Sequence, residues 1–218
     1  MRIDLTGTIY TGMWNYEAPF PSLTIRPLPP VEWVKGYVGC EIFDGLHSQT
    51  GTYLETPAHV LGDNSYPLIS VSLDRICDVP TRVLHLPFEG ENMAITPALL
   101  DACPAFDSIC EGDAVLVSCD YGKKWFDNDY LSASPYFTKE AMRKLIEKKP
   151  SILGSDFPRW DNLANPQDFF ADFYAADILM LAPVIHLEKC PPSGGRLTAL
   201  PLKAEKTSCA PCRAILSF

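Results

Sequence analysis

The sequence predicts a single α/β domain spanning residues 1–218. Three observations predict it. Short β-type runs recur along the chain, near residues 1–9, 52–54, 81–86, 114–119, 151–155 and 178–185 and twice between 197 and 218. Two segments between them, 95–102 and 138–149, carry helix signals. The chain has 218 residues with 47% hydrophobic and 21% charged content, ordinary for one soluble globular unit.

Residues 1–9 alternate Ile3 and Leu5 with Asp4 and Thr6, as an opening strand does. Residues 11–30 hold Trp14, Tyr16, Pro19, Phe20 and Pro21; prolines keep this loop out of a central sheet, and its aromatics suit the cover of a pocket. Residues 31–43 read as a strand leading into the Asp44-Gly45 turn. Leu73 to Ile76 reads as a single turn, and residues 81–86 alternate as a strand containing His85. Thr96 can cap a helix that has Pro97 at its first position. Residues 114–119 form an unbroken apolar run, a buried strand. A second aromatic loop, 120–136, carries Trp125, Phe126, Tyr130 and Tyr136 and could face the first across a cleft. Thr138, Glu140, the spacing of Met142, Leu145 and Ile146, then Lys148, Lys149 and Pro150 give the clearest helix. Strands follow at 151–155, at 178–185 and on either side of Cys209-Ala-Pro-Cys212, which reads as a turn. No repeat or linker interrupts the chain.

The net charge of −9 argues against nucleic acid, whose phosphates would be repelled. No apolar run approaches the roughly 20 residues of a membrane helix. The first residues, with Asp4 early and no apolar h-region, do not resemble a signal peptide, and the cytoplasm is the expected location. Of eight cysteines only Cys209 and Cys212 are closely spaced, and a zinc knuckle would need a second pair.

The stretch Gln49-Thr-Gly-Thr-Tyr-Leu-Glu-Thr-Pro-Ala-His59 holds the most chemistry. On a short strand Tyr53 and Glu55 project to the same side, Pro57 ends the strand, and His59 lies just beyond it. An acid and an imidazole four residues apart suit proton transfer or metal binding. A turn with one exposed acid and one satisfied histidine is the plainer alternative.

This stretch resembles the signature of the cyclase family, the fold family of bacterial kynurenine formamidases: His-x-Gly-Thr-His-x-Asp-x-Pro-x-His. Thr50, Gly51, Thr52, Pro57 and His59 match it. Weaker similarities lie at Asp4-Leu5-Thr6, Gly112 to Leu116 and Gly154-Ser-Asp-Phe-Pro158. The resemblance implies a swivelling β/β/α fold, a mixed sheet or flattened barrel with a few outer helices. It also implies a divalent metal, typically zinc, hydrolysis of a small amide or lactone in tryptophan catabolism, and a homodimer or homotetramer. His59 would move the proton, and Trp14 would pack on the substrate ring beside Tyr53 and Gln49.

The metal-holding positions depart from the family. Gln49 and Tyr53 replace its two histidines, Glu55 its aspartate, and Met180 its later glutamate, while Asp168 falls where a further histidine belongs. An amide and a thioether are poor zinc ligands, and tyrosine binds metal only as phenolate. The two-zinc centre is therefore expected to be lost or altered. Three readings remain open. Glu55, His59 and Asp168, with Asp156 or Asp161, could hold Mg, Mn or Ca. Glu55 and His59 could catalyse without metal, with Tyr53 and Gln49 donating to an oxyanion. Or the protein binds a small aromatic or acidic ligand without catalysis. His47 could replace a missing ligand, though a loop histidine explains it as well.

Overall fold

The computed structural model describes residues 1–218. Its strands are β1 (Arg2–Asp4), β2 (Thr24–Pro27), β3 (Glu41–Asp44), β4 (Tyr53–Glu55), β5 (Val79–His85), β6 (Ala94–Ile95), β7 (Ala114–Ser118), β8 (Tyr136–Phe137), β9 (Ile152–Ser155), β10 (Leu179–Ala182), β11 (Gly195–Pro201) and β12 (Cys209–Ser217). Four helices accompany them: α1 (Ala58–Leu61), α2 (Pro97–Asp101), α3 (Lys139–Glu147) and α4 (Phe170–Ala175).

β12 closes the architecture. One of its edges bonds β11; the other is shared by β4 at residues 209–211 and β1 at residues 215–217. Seven strands thus form a ring, β12-β11-β5-β7-β9-β10-β4 and back to β12, with β1 alongside. The β5–β7–β9–β10 run is parallel and the other pairings are antiparallel, so this is a closed mixed barrel with few helices.

Side-chain alternation gives the wall two apolar faces. Val79, Val83, Leu116, Ile152, Leu179, Leu181, Leu54, Ala214 and Leu216 share one buried cluster, which packs the barrel interior. Their alternates Leu84, Val115, Val117, Leu153, Met180 and Ala182 join the other, under α2, α3 and the aromatic loops. Both faces of β7, β9 and β10 are covered, so these strands read as unbroken buried runs, whereas β5 alternates with Pro80 and His85 exposed.

The helix caps form as expected: Thr96 Oγ1 accepts the Leu99 N–H at 3.4 Å, and Thr138 Oγ1 accepts the Ala141 N–H at 3.2 Å. Two expectations need correction, and one element was not foreseen. Residues 31–40 form no strand, and only Glu41–Asp44 pairs, with β2, because Trp33 and Tyr37 have no face to pack on and stand 87% and 94% exposed. Residues 170–175 form a helix whose spacing of Phe170, Phe173 and Tyr174 is masked by the aromatics around it. Cys209 and Cys212 lie inside β12 rather than in a turn; the strand runs through Pro211, which pairs opposite Tyr53.

Asp156, weighed above as an oxygen ligand, is committed to the fold. Its Oδ1 accepts the Cys119 N–H at 3.0 Å, and its Oδ2 accepts the Ser118 hydroxyl at 3.0 Å and the Tyr121 N–H at 3.1 Å. Burial pushes the carboxyl up to about 7 against the pull of these donors. In the unfolded chain it titrates near the ordinary value of about 3.9. Between those two values the unfolded chain releases the proton and the folded chain keeps it. The fold therefore loses stability as pH rises from about 4 to about 7, and does not regain it above. Asp156→Asn cannot ionise. Urea unfolding should show the native protein losing stability relative to this variant across that window, by a few kcal/mol at about 1.4 kcal/mol per pKa unit. A difference that stays flat with pH would refute the assignment.

Candidate functional site

Strand register assembles the site. Glu55 on β4 is paired with Met180 on β10 and with Cys209 on β12. Leu54, Leu181 and Ala210, the neighbours of these three, face the barrel interior. Met180, Glu55 and Cys209 therefore form a row across the outer face of three adjacent strands. All three are buried.

The motif's retained residues hold this row in place. Gly51 has φ +69°, and a Cβ there would lie 2.7 Å from Ile9 Cγ2, so a side chain at this position would be strained and Ile9 would have to shift. Thr50 Oγ1 accepts the His47 N–H at 3.0 Å. Thr52 Oγ1 accepts the Gly7 N–H at 3.0 Å and donates to the Pro183 carbonyl at 2.6 Å. Thr56 donates to the Tyr66 carbonyl at 3.0 Å. Pro57 then starts α1, which carries His59 over the row.

Glu55 is held on both oxygens. Gln49 Nε2 donates to Oε1 at 2.5 Å, and the Tyr174 hydroxyl donates to Oε2. Burial and the Glu55 charge hold the Tyr174 phenol far above its ordinary value, so it stays protonated and keeps donating. His59 stands above, its Nε2 3.9 Å from Glu55 Oε1 and its Nδ1 4.0 Å from Cys209 Sγ. Burial, with the Glu55 charge, pushes the Cys209 thiol up to about 11. The Tyr53 hydroxyl meets Tyr16 OH at 2.9 Å, and Tyr16 donates on to the Pro158 carbonyl at 3.0 Å.

Glu55, His59, Gln49 and Tyr53 thus lie on one wall, Tyr53 turned to Tyr16 and the others gathered on the carboxylate. Asp168 does not join them. It is exposed at φ 52°, in the turn before α4, and it is Tyr174, six residues on, that reaches the wall. Asp161 Oδ1 accepts the Asn162 and Gln167 N–H groups, both at 2.7 Å, and serves its own loop. His47 bonds Asn15 Oδ1 at 3.0 Å and leans on Phe20. The two aromatic loops pack directly together, Trp14 lying 5.2 Å from both Trp125 and Tyr130. Trp14 anchors that contact, yet its indole N–H is buried without an acceptor. A separate surface cleft of about 310 Å³, lined by Arg159, Glu17 and Asp161 among others, holds none of the gathered donors.

Sequence reasoning missed Tyr174 and Cys209. No spacing rule reports Tyr174, since its helix was not foreseen. Cys209 could have been found only from the β4–β12 register.

A two-metal centre at the positions the resemblance implies does not fit this chain. The Tyr53 hydroxyl is turned to Tyr16, away from the Glu55 carboxylate, and burial, then Tyr16 and Glu55, hold its phenol far above its ordinary value. Gln49 is occupied on Glu55, and Met180 offers only a thioether. A different set does gather: Glu55, His59 and Cys209 each bring one donor atom, all within 4.8 Å of one another, a group able to hold a metal ion.

Comparison with known proteins gives a consistent picture. A family model described as putative cyclase matches residues 3–162. No curated protein matches the sequence. Among solved structures, an isatin hydrolase bound to the product analogue thioisatinate superposes with a TM-score of 0.83 at 21% identity, covering 99% of this chain and 91% of that one. Isatin hydrolase A from Ralstonia solanacearum gives 0.81 at 22% identity over 99% and 91%. A potential metal-dependent hydrolase with cyclase activity gives 0.77 at 20% identity over 99% and 96%. At these identities the likeness establishes the shared fold.

The carboxylate's hydrogen bonds set a testable energy. A hydrogen bond to a charged group contributes about 1.5–3 kcal/mol. Tyr174→Phe, which deletes only the hydroxyl, should lower the urea unfolding free energy by about that amount. Met180→Leu, similar in volume, should cost less than about 1.5 kcal/mol. Equal losses from both would show that packing, rather than the Glu55 hydrogen bond, governs this wall.

Proposed function

Because the chain belongs to the cyclase family, we propose that it hydrolyses a small amide or lactone on the wall that carries Glu55 and His59. One observation carries this reading: the family's loop keeps its backbone locks and still delivers a half-exposed imidazole to within 3.9 Å of a buried carboxylate. Elsewhere on the chain no other histidine forms an ion pair with an acid.

The residues suggest roles. Gln49 and Tyr174 fix the orientation of Glu55, so its Oε1 faces His59 without searching. His59, open to solvent on one edge, is placed to act on an incoming water. A divalent ion bound there would polarise the scissile carbonyl and make its water more acidic. The Trp14 indole N–H is the one buried side-chain donor left without an acceptor, which supports its use on a substrate carbonyl beside Tyr53. An aromatic substrate suits the nearby rings, and an N-aryl amide such as isatin or N-formylkynurenine is the class we favour. The absence of ligand-grade side chains at Gln49, Tyr53 and Met180 favours a second reading, a binder of such molecules without turnover.

We also propose that two copies pair through the β2–β3 arm. Trp33, Tyr37, Val38 and Phe43 stand exposed there, and an identical arm supplies matching apolar surface. All eight cysteines are free, which fits a reducing compartment such as the cytoplasm. No helix is long and apolar enough to cross a membrane.

A hydrolysis screen with isatin, N-formylkynurenine and small lactones should find turnover. His59→Ala should cut kcat at least about 100-fold. Trp14→Phe should raise KM several-fold with kcat little changed. Full activity in His59→Ala would remove this residue from the mechanism. No turnover, together with a raised Tm on adding the aromatic ligands, would favour the binder. Light scattering should report a dimer or larger that Trp33→Asp with Tyr37→Asp reduces to monomer; an unchanged mass would exclude the arm as the contact.

A further inference from the structure

We propose that Glu55, His59 and Cys209 form a site for one zinc ion, with the β12 thiol as a ligand. The inference rests on the placing of chemistry at Glu55 and His59 and adds the agent and its third ligand.

Three elements supply the donors: β4, α1 and β12. Glu55 and Cys209 are register partners on neighbouring strands, and His59 covers them from the first helix turn after β4. Their donor atoms already lie within 4.8 Å of one another, with 3.9 Å from Nε2 to the carboxylate and 4.0 Å from Nδ1 to the thiol. Tetrahedral zinc with bonds of about 2.0–2.3 Å wants its donors about 3.3–3.8 Å apart. The two short distances belong to different nitrogens of one ring, so with a single nitrogen as ligand the 4.8 Å spread must close by about 1 Å, which a turn of the exposed His59 side chain supplies.

Charge points the same way. Glu55 is buried, its two hydrogen-bond donors are neutral, and its only ion-pair partner is His59. A carboxylate and a thiol side by side, with no lysine or arginine in ion-pair contact with the acid, form a pair that a cation would complete. The donor types then select the cation. Imidazole, carboxylate and thiolate together suit borderline-soft zinc, whereas magnesium and calcium favour all-oxygen shells. The site also has the form of a reactive centre rather than a structural one. It offers three protein ligands, and the His59 side chain is 36% exposed, leaving the fourth position open to solvent. Gln49 and Tyr174 fix the carboxylate before an ion arrives, as outer partners of metal ligands do. On the other side of β4, the Met180 thioether takes the Tyr174 hydroxyl at 3.5 Å and adds no ligand of comparable strength.

The test uses the full chain, stripped with chelator and dialysed separately against zinc, manganese and magnesium, with bound metal counted by elemental mass spectrometry. One zinc per chain is expected, with manganese and magnesium bound at least about tenfold more weakly. Cobalt in place of zinc should show a thiolate charge-transfer band. Cys209→Ser and Cys209→Ala should lose that band and weaken zinc at least about 100-fold. His59→Ala, at an exposed position that tolerates truncation, should weaken zinc similarly and decides the matter if the cysteine variants do not fold. Asp168→Asn should bind zinc as the native chain does. Two zinc ions per chain, no zinc, undiminished zinc in the folded Cys209 variants or in His59→Ala, or a cobalt form without the thiolate band would each overturn the site. Zinc bound as described with no substrate turned over would leave the site standing and remove the hydrolase reading. Turnover by the stripped chain would leave the hydrolase reading standing and remove zinc as its agent.

Discussion

The pairing of β4 with β12 is the contact on which the rest of the molecule depends. It closes the ring of strands, through the Thr56 N–H on the Ser208 carbonyl at 2.8 Å and the Cys212 N–H on the Thr52 carbonyl at 2.9 Å. The same pairing sets Glu55 opposite Cys209. A slip of one residue would turn Glu55 and Cys209 into the barrel interior and bring Leu54 and Ala210 out. The interior is packed mainly by apolar side chains and offers a carboxylate no charged partner, so burial favours the register that builds the site.

Glu55 explains why the wall is so heavily hydrogen-bonded. An ion moved from water into a protein interior costs several kcal/mol even after relaxation. Two donors at about 1.5–3 kcal/mol each recover much of that, and the facing imidazole contributes the remaining polarity. An aspartate at position 55 would be shorter by one methylene, and Gln49 and Tyr174 would both have to move to reach it. The residues that depart from the family pattern are therefore mutually adjusted: the longer acid meets an amide from one side and a phenol from the other.

Much of the fold could be read from the sequence because its signals are local. Thr96-Pro97 and Thr138 announce helices through caps, and the runs at β7 and β9 announce buried strands through composition. The barrel itself came only through resemblance, because no local pattern states that β12 returns to β4. The site was legible to the same extent. Gln49, Tyr53, Glu55 and His59 lie within eleven residues, and strand periodicity shows which of them share a face. Tyr174 and Cys209 arrive from 119 and 154 residues beyond Glu55. Asp168 stands where the resemblance implies a further histidine, but it is exposed just before α4, and the helix brings Tyr174 to the wall instead. The Cys-x-x-Cys pair misled in another way: proline inside a strand signals a break, yet here Pro211 sits where β12 changes from pairing with β4 to pairing with β1.

What the chain keeps and what it changes separate along a physical line. Thr50, Gly51, Thr52 and Pro57 use their side chains, or the lack of one, on the chain's path: an N–H, a positive φ against Ile9, a carbonyl, a helix start. Changing any of them would displace the strand that closes the barrel, and the cost would fall on the whole fold. Gln49, Tyr53, Glu55 and Met180 act only on one another and on their immediate neighbours, so they can be exchanged if the exchange balances charge and hydrogen bonds. Tyr53 shows the balance reached: its hydroxyl, where a ring nitrogen might have stood, is satisfied by Tyr16, which in turn rests on the Pro158 carbonyl. A loop can therefore keep its shape through a complete change of side-chain chemistry, and the shape alone does not report which chemistry the loop performs.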